Sequence, residues 1–512
     1  MATSLVDLLS ERSLQAPEAP ALLHGTTVVS YGELWRQVEA VAGFLRAHHV
    51  PGGARVALLM ENRPEYVAAY YGALAVGAVV VPLNTAAKAR DLAAQLAHCG
   101  ASWLFASGRH PELPALRTAL PPGLRCVTVG GRREEGEQDW VEVLSTRTAV
   151  LRRRFASERL ASLMYTSGTT GDPKAIMLSH GNLLSNVRAI VEYLGLRSSD
   201  RALQVLPFYY SYGNSVLHTH LAVGASLVLE NSLLYPHRVL QRLAEARCTG
   251  LPGVASMFAL FMDRAGFDNY DLSALRYLTQ AGGPMPVARL EQLRRALPQA
   301  RLFVMYGQTE ATARLSYLPP ERLDDKLGSV GVPIPGTEIQ IHDPAGRALP
   351  PGRVGEICAR GGHIMLGYWR NAEATARVLR DGWLRTGDQG YLDAEGYLYI
   401  TGRISDLIKS GAHRISPREI EEVLAELEGV AEAAVVGTPD PVLGQAITAC
   451  IVVKPGSQLD ERRVMAHCRA RLAAYKLPKR IEFVAALPKT QTGKVQRHRL
   501  LEPQGAVQAS AL

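Results

Sequence analysis

Cysteine is scarce in these 512 residues, and its six copies (Cys99, Cys126, Cys248, Cys358, Cys450 and Cys468) lie far apart. No two have the spacing of a metal clip or a redox pair, which predicts a reduced, cytoplasmic setting. Met1 to Leu14 has no basic segment ahead of an apolar run, and it reads as an amphipathic helix rather than a secretory signal. Ligand spacing is also absent among the histidines, so His218, His220, His363 and His413 read as structural or surface groups. Extreme charge is missing: a net +8 over this length does not by itself point to nucleic acid. Apolar content of 47% and charged content of 20% exclude a disordered chain. No internal repeat is visible. One stretch, Tyr66 to Ala87, runs 22 residues without a charge, long enough to span a bilayer. Gly72, Gly77 and Pro82 interrupt it, and its second half is β-branched. A buried helix followed by a buried strand is predicted, with no membrane span.

The length predicts two or three domains. Helical and strand-like segments alternate through the first 150 residues: Tyr31–Val50, Arg55–Met60, a helix from Pro64, a strand to Leu83, Asp91–Cys99 and Ser102–Phe105. That alternation predicts a largely parallel sheet, with 130–140 as a polar surface loop. Further βα segments follow at Ala161–Leu194, Arg201–Leu206, Leu217–Glu230, Pro236–Ala246, Arg276–Ala281 and Leu302–Tyr306. From about Leu327, glycines, prolines and short strands predict an antiparallel β subdomain. Beyond a linker near Thr401–Asp406, helices at Pro417–Leu427 and Asp460–Leu472 and strands at Val430–Gly437, Ala446–Val453 and Lys479–Val484 predict a compact α+β unit. The expected fold is thus a large α/β N-terminal domain, with parallel sheets, helices and a small antiparallel β subdomain. A smaller, mobile α+β C-terminal domain follows it. The boundaries are 1–402, a hinge at 403–406, and 407–512. From Arg462 onward, eleven Lys/Arg face two acids, Glu482 and Glu502, a tail suited to phosphates, an acidic partner or water.

Within this frame, Tyr165-Thr-Ser-Gly-Thr-Thr-Gly-Asp-Pro-Lys174 packs four serine or threonine hydroxyls, two glycines and a lysine into ten positions. Glycines let backbone N–H groups converge on an anion. The spacing differs from a Walker A loop, in which four residues separate the first glycine from Gly-Lys. Ala281-Gly-Gly-Pro284, Tyr306-Gly-Gln-Thr-Glu310 and Thr386-Gly-Asp388 repeat the habit of a strand ending in a glycine turn, the usual place for ligands in α/β proteins.

Taken with Gly402-Arg403, Lys409-Ser-Gly411 and Pro488-Lys-Thr-Gln-Thr-Gly-Lys494, these blocks make the chain resemble the adenylate-forming superfamily. Its members include acyl-CoA synthetases, acyl-carrier-protein ligases, adenylation domains and luciferases. The resemblance implies an AMP-forming carboxylate–thiol ligase acting on a fatty or aryl acid. Such an enzyme makes acyl-AMP and pyrophosphate from ATP, then passes the acyl group to coenzyme A. Alternatives are an acyl carrier protein or other phosphopantetheine as acceptor, or a catalytically idle nucleotide-binding protein. It further implies that Thr166, Ser167, Gly168, Thr169, Thr170 and Lys174 cradle the β- and γ-phosphates. Tyr306 would lie on the adenine, with Gly282, Gly283 and Gly307 in the nucleotide site. Thr309 would donate to the α-phosphate and Glu310 would hold Mg²⁺. Asp388 would accept from the ribose hydroxyls, and Arg403 would reach the ribose or a phosphate. Lys494 would bridge the substrate carboxylate and the α-phosphate.

The resemblance also implies a hinge and thiol tunnel at Ser405, Asp406 and Gly411. The hinge position, usually Asp or Lys, is Ser405 here. The acyl pocket would be lined by Phe208, Tyr209, Tyr210, Ser211, Tyr212, Gly253 and Met257. The segment 208–214 contains no acid to pair a substrate ammonium, and an unpaired buried ammonium is costly. An acid without an α-ammonium group is therefore expected, with a neutral or apolar acyl chain or an aryl ring.

Overall fold

The computed structural model describes residues 2–146, 155–166, 174–410, 413–441, 443–489 and 495–501. Local signals set its elements. Ser30 and Glu33 form a reciprocal capping box at the helix Tyr31–Ala47, and Ser179 with Asn182 does the same for His180–Leu194, which stops at left-handed Gly195. The uncharged stretch folds as expected into a helix, Pro64–Ala75, buried on all sides, and a buried strand, Val79–Pro82. Among the described residues, no helix is long and apolar enough to cross a membrane.

Two large sheets are built from strands within the first 333 residues, with the short strand Gly367–Tyr368 added at the edge of one. One has eight strands, with Lys174–Ser179 antiparallel to Leu160–Thr166, which leads into the parallel strands Val79–Pro82, Arg55–Leu59, Ala101–Gly108 and Arg125–Gly131. The other has nine strands, six of them parallel, running from Arg301–Tyr306 through Tyr277–Gln280, Gly250–Gly253, Arg201–Gln204 and Ser226–Leu229 to Pro20–His24. Here the winding reverses. After Arg201–Gln204 the chain pairs to one side with Ser226–Leu229, then returns to the other side as Gly250–Gly253. Such a switch point opens a crevice at the carboxyl ends of the strands. The segment from Leu206 to Tyr212 follows the carboxyl end of Arg201–Gln204, at that switch point.

A five-stranded antiparallel sheet, from Thr337–His342 to Leu398–Arg403, follows. The last sheet lies entirely after residue 407 and has its own core of Ile408, Ile415, Ile420, Leu424, Val435, Ile451 and Val464.

Three expectations change. Thr401–Arg403 is the end of the strand Leu398–Arg403, not linker, because it pairs with the strand Trp383–Leu392. A turn of 3₁₀ helix, Ile404–Asp406, comes next. Leu217–Val223 completes a buried helix, Ser211–Val223, with its strand starting only at Ser226. Within 130–140, Gln138–Asp139 is a short strand and Trp140 begins a helix. The basic excess after Arg462 is partly neutralised within the fold: Arg471, Lys476, Lys489 and Arg497 pair with Glu426, Glu419, Glu432 and Glu421.

Candidate active site

The strand Arg301–Tyr306 ends at Gly307, where the chain turns back on itself so tightly that a Cβ there would lie 2.1 Å from the Ala313 carbonyl oxygen. The reversal forces Thr312, a β-branched residue, to φ +62°, a costly conformation for it. Its hydroxyl is anchored by donating to the His363 carbonyl at 2.7 Å. The strained turn fixes three side chains at the switch-point crevice.

Thr309 donates through Oγ1 to Ser211 Oγ at 3.1 Å, joining the turn to the start of the helix Ser211–Val223. Glu310 accepts through Oε1 from the Tyr368 hydroxyl at 3.0 Å, while its backbone carbonyl accepts from Met365 N–H at 2.8 Å. The Tyr306 hydroxyl donates to Asp388 Oδ2 at 2.6 Å.

Asp388 is buried and doubly held, its second oxygen accepting from Arg403 Nε at 2.9 Å. Its N–H donates to Thr386 Oγ1, which in turn donates to the Ile357 carbonyl. Burial first, then the Asp388 charge, pushes the Tyr306 phenol well above its ordinary value, so the phenol stays a donor. Burial and the adjacent Glu310 act on Tyr368 in the same direction.

Gly282 and Gly283 follow the strand Tyr277–Gln280. Gly282 sits at φ +86°, Gly283 faces open space, and Gln280 Nε2 donates to the Gly283 carbonyl at 2.8 Å. Thr166 and Lys174 are opposed partners where two antiparallel strands meet. Ser167, Gly168, Thr169 and Thr170, which lie between them, fall outside the described residues, as do Gly411 and Lys494. The flanks of Lys494 are described: Lys489 and Val495 bridge, and Gln496 N–H donates to the Pro488 carbonyl. Arg497 then reaches Asp406 at 3.2 Å and both oxygens of Glu421. The 3₁₀ turn that contains Ser405 is thereby tied to the chain just after Lys494.

The expected acyl wall is divided. Phe208 packs against Tyr66 with ring centroids 5.2 Å apart, and both are core. Tyr209 and Tyr210 pack on one another at 4.5 Å. Met257 closes over Gly253, whose Cβ would lie 2.1 Å from the methionine methyl. Tyr212 donates to Thr279 and lines a cavity of about 10 Å³ together with Tyr193, His220, Thr279, Met305 and Arg314. The sequence shows no acid in the 208–214 segment of that wall. The structure adds a cation, since the Arg314 guanidinium lies 4.1 Å over the Tyr212 ring. Arg314, Tyr368 and Arg497 were missed because each acts through a fold contact rather than a motif.

Among the described residues, no cluster of three or more His, Cys, Asp or Glu side chains could hold a metal. Glu310 presents a carboxylate whose Oε1 is engaged by Tyr368. A single protein carboxylate suits Mg²⁺, which takes the rest of its shell from substrate phosphates and water.

The chain matches the family model described as AMP-binding enzyme over residues 9–369, and the AMP-binding enzyme C-terminal domain over residues 419–494. It is 36% identical to feruloyl-CoA synthase of an Amycolatopsis species, across 94% of this chain and 96% of that protein. It is 35% identical to indoleacetate–CoA ligase of Aromatoleum aromaticum, across 92% of each. The fold superposes on o-succinylbenzoate CoA synthetase of Bacillus subtilis in complex with its acyl-adenylate, with a TM-score of 0.86, 30% identity, and coverage of 97% of this chain and 98% of that one. The same synthetase is known in complex with ATP and magnesium.

Proposed function

Because the chain belongs to the AMP-binding enzyme family, we propose that its reaction is organised by the residues gathered at the turn after Tyr306, on an acid that carries no α-ammonium group. The protein is an ATP-dependent, AMP-forming acid–thiol ligase that uses magnesium and takes coenzyme A as acceptor.

In the first step a carboxylate oxygen of the acid bonds to the α-phosphorus of ATP. The bond from that phosphorus to the bridging oxygen breaks, and its electron pair leaves with pyrophosphate. Charge grows on the phosphoryl oxygens, so donors fixed in advance stabilise the transition state. Thr309, whose hydroxyl donates to Ser211 in the ligand-free site, would turn that hydrogen to the α-phosphate and accept from Ser211 instead. Lys494 brings its ammonium between carboxylate and phosphate from the domain after 407. Glu310 would hold Mg²⁺, which when bound neutralises phosphate charge. Tyr306 flanks the adenine, and Asp388, steadied by Tyr306 and Arg403, accepts from the ribose hydroxyls. Thr166, Lys174 and the loop between them hold the departing pyrophosphate. In the second step the coenzyme A sulfur bonds to the acyl carbon. The bond to the AMP oxygen breaks, and the thiol proton is lost.

The division at 402/407, with Ile404–Asp406 as hinge, lets the small domain present Lys494 for one step and withdraw it for the other. The separate core after residue 407 supports that division.

The observation that carries this reading is the convergence of Tyr306, Thr309 and Glu310, within five residues, on Asp388, Ser211 and Tyr368 from three other elements. Pyrophosphate release across an acid panel, followed by mass spectrometry with coenzyme A, tests it. Acid-dependent pyrophosphate and an acyl-CoA product are expected. Turnover confined to α-amino acids would contradict the stated acid class.

A further inference from the structure

Arg314 is only 3% exposed and has no carboxylate partner among the described residues. A guanidinium carries its charge at any physiological pH, and an uncompensated buried charge is costly. Its donors are poorly spent. Nε reaches the thioether Sδ of Met305 at 3.4 Å, and one terminal nitrogen reaches the neighbouring Ala313 carbonyl at 3.3 Å. Tyr193 is half-buried beside it, and its hydroxyl donates to the same Met305 sulfur at 3.0 Å. A thioether is a weak acceptor, so two strong donors converge on a partner that satisfies neither.

These groups line the cavity that Tyr212, Thr279 and His220 share. His220 adds no second cation: its ring lies between the Val216 carbonyl and the Tyr277 hydroxyl, and burial pushes it down to about 4, leaving it neutral. The position is equally telling. Ser211 touches Thr309, where the carboxyl group is activated, and the next residue, Tyr212, lies under Arg314. An acid seated with its reacting end at Thr309 would lay its body along Tyr212 and, by widening the water-sized cavity there, bring its far end to Arg314.

We propose that Arg314, seconded by Tyr193, binds a carboxylate at the end of the substrate remote from the one that is activated, so that the preferred acid is a dicarboxylic acid. The inference rests on the reading that Tyr212 belongs to the acid pocket. A carboxylate there would replace the thioether with a charged acceptor of matching geometry and pair the buried cation.

The test compares α,ω-dicarboxylic acids of increasing length, and para-carboxylated aryl acids, each against the monocarboxylic acid of the same length and shape. Pyrophosphate release is the readout, in the full-length enzyme and in Arg314→Met and Arg314→Lys. The wild type is expected to favour one diacid over its matched monoacid. Arg314→Met should lower kcat/KM for the diacid about a hundredfold more than for the matched monoacid, mainly through KM. Arg314→Lys keeps the charge without the fork and should fall between. If Arg314→Met does not fold, the wild-type preference and the Lys variant still decide. A wild type that prefers the monoacid, or variants that lower both acids equally, would overturn the inference while leaving the ligase reading intact. Absence of pyrophosphate with every acid would overturn both.

Discussion

Tyr306 and Asp388, 82 residues apart, are joined by a buried hydrogen bond of 2.6 Å from phenol to carboxylate. The bond couples the end of a strand in the nine-stranded sheet to the antiparallel sheet that precedes the hinge. It fixes one Asp388 oxygen, and Arg403 fixes the other. A carboxylate held at both oxygens still has lone pairs free, so it is oriented rather than consumed.

Tyr306→Phe keeps the ring and removes that bond. Hydrogen bonds to charged groups contribute about 1.5–3 kcal/mol. KM for ATP should therefore rise about tenfold or more, with KM for the acid nearly unchanged. Steady-state kinetics with each substrate varied will show this, and an equal rise in both constants would count against a ribose-side role for Asp388.

Tyr368→Phe frees Glu310 Oε1 from its only side-chain donor among the described residues. A carboxylate less well aimed should need more magnesium. The magnesium concentration for half-maximal activity is expected to rise several-fold, with the maximal rate partly restored at saturation. A rate loss that magnesium does not restore would place Tyr368 outside the metal's support.

Lys494→Ala should abolish acyl-AMP formation and spare thiolysis of supplied acyl-AMP. Lys174→Ala should weaken ATP use without changing which acid is chosen. Separate assays of the two half-reactions distinguish these outcomes. Equal loss of both steps in the first variant, or a shift in acid preference in the second, would contradict the assigned roles.

Stability should fall on mild acidification. Burial pushes His218 down to about 3, and His220 and His363 to about 4, whereas in the unfolded chain each titrates near 6.5. Below pH 6.5 the unfolded state therefore binds protons that the folded state refuses. Stability is fully present above that pH and is lost progressively as pH falls toward 4, at up to about 1.4 kcal/mol per pH unit per histidine. Denaturant unfolding between pH 7 and 5 should show that slope, reduced by about one proton in His218→Gln. A flat profile would mean that these rings are charged in the fold.

Much of the architecture was legible because its signals are local. Ser179 and Pro64 mark helix starts, and glycine turns after apolar strands mark the crevice. Thr309, Glu310, Tyr306 and Asp388 could be singled out because they sit in short contiguous blocks. What stayed hidden depends on contacts between distant segments. Tyr368 meets Glu310 across 58 residues, and Arg497 meets Asp406 across 91. Arg314 reads as an ordinary surface arginine until the turn at Gly307 and Thr312 folds it over Tyr212. Phe208 erred in the opposite sense: an aromatic beside a site motif, it belongs to the core against Tyr66.

The central claim is that the acid is activated by attack of its own carboxylate on the α-phosphorus. The most direct measurement uses an accepted acid labelled with heavy oxygen in its carboxyl group, with coenzyme A present and AMP and pyrophosphate analysed by mass spectrometry. The account predicts one labelled oxygen in each AMP and none in pyrophosphate. Label in pyrophosphate or inorganic phosphate, or AMP without label, would contradict it.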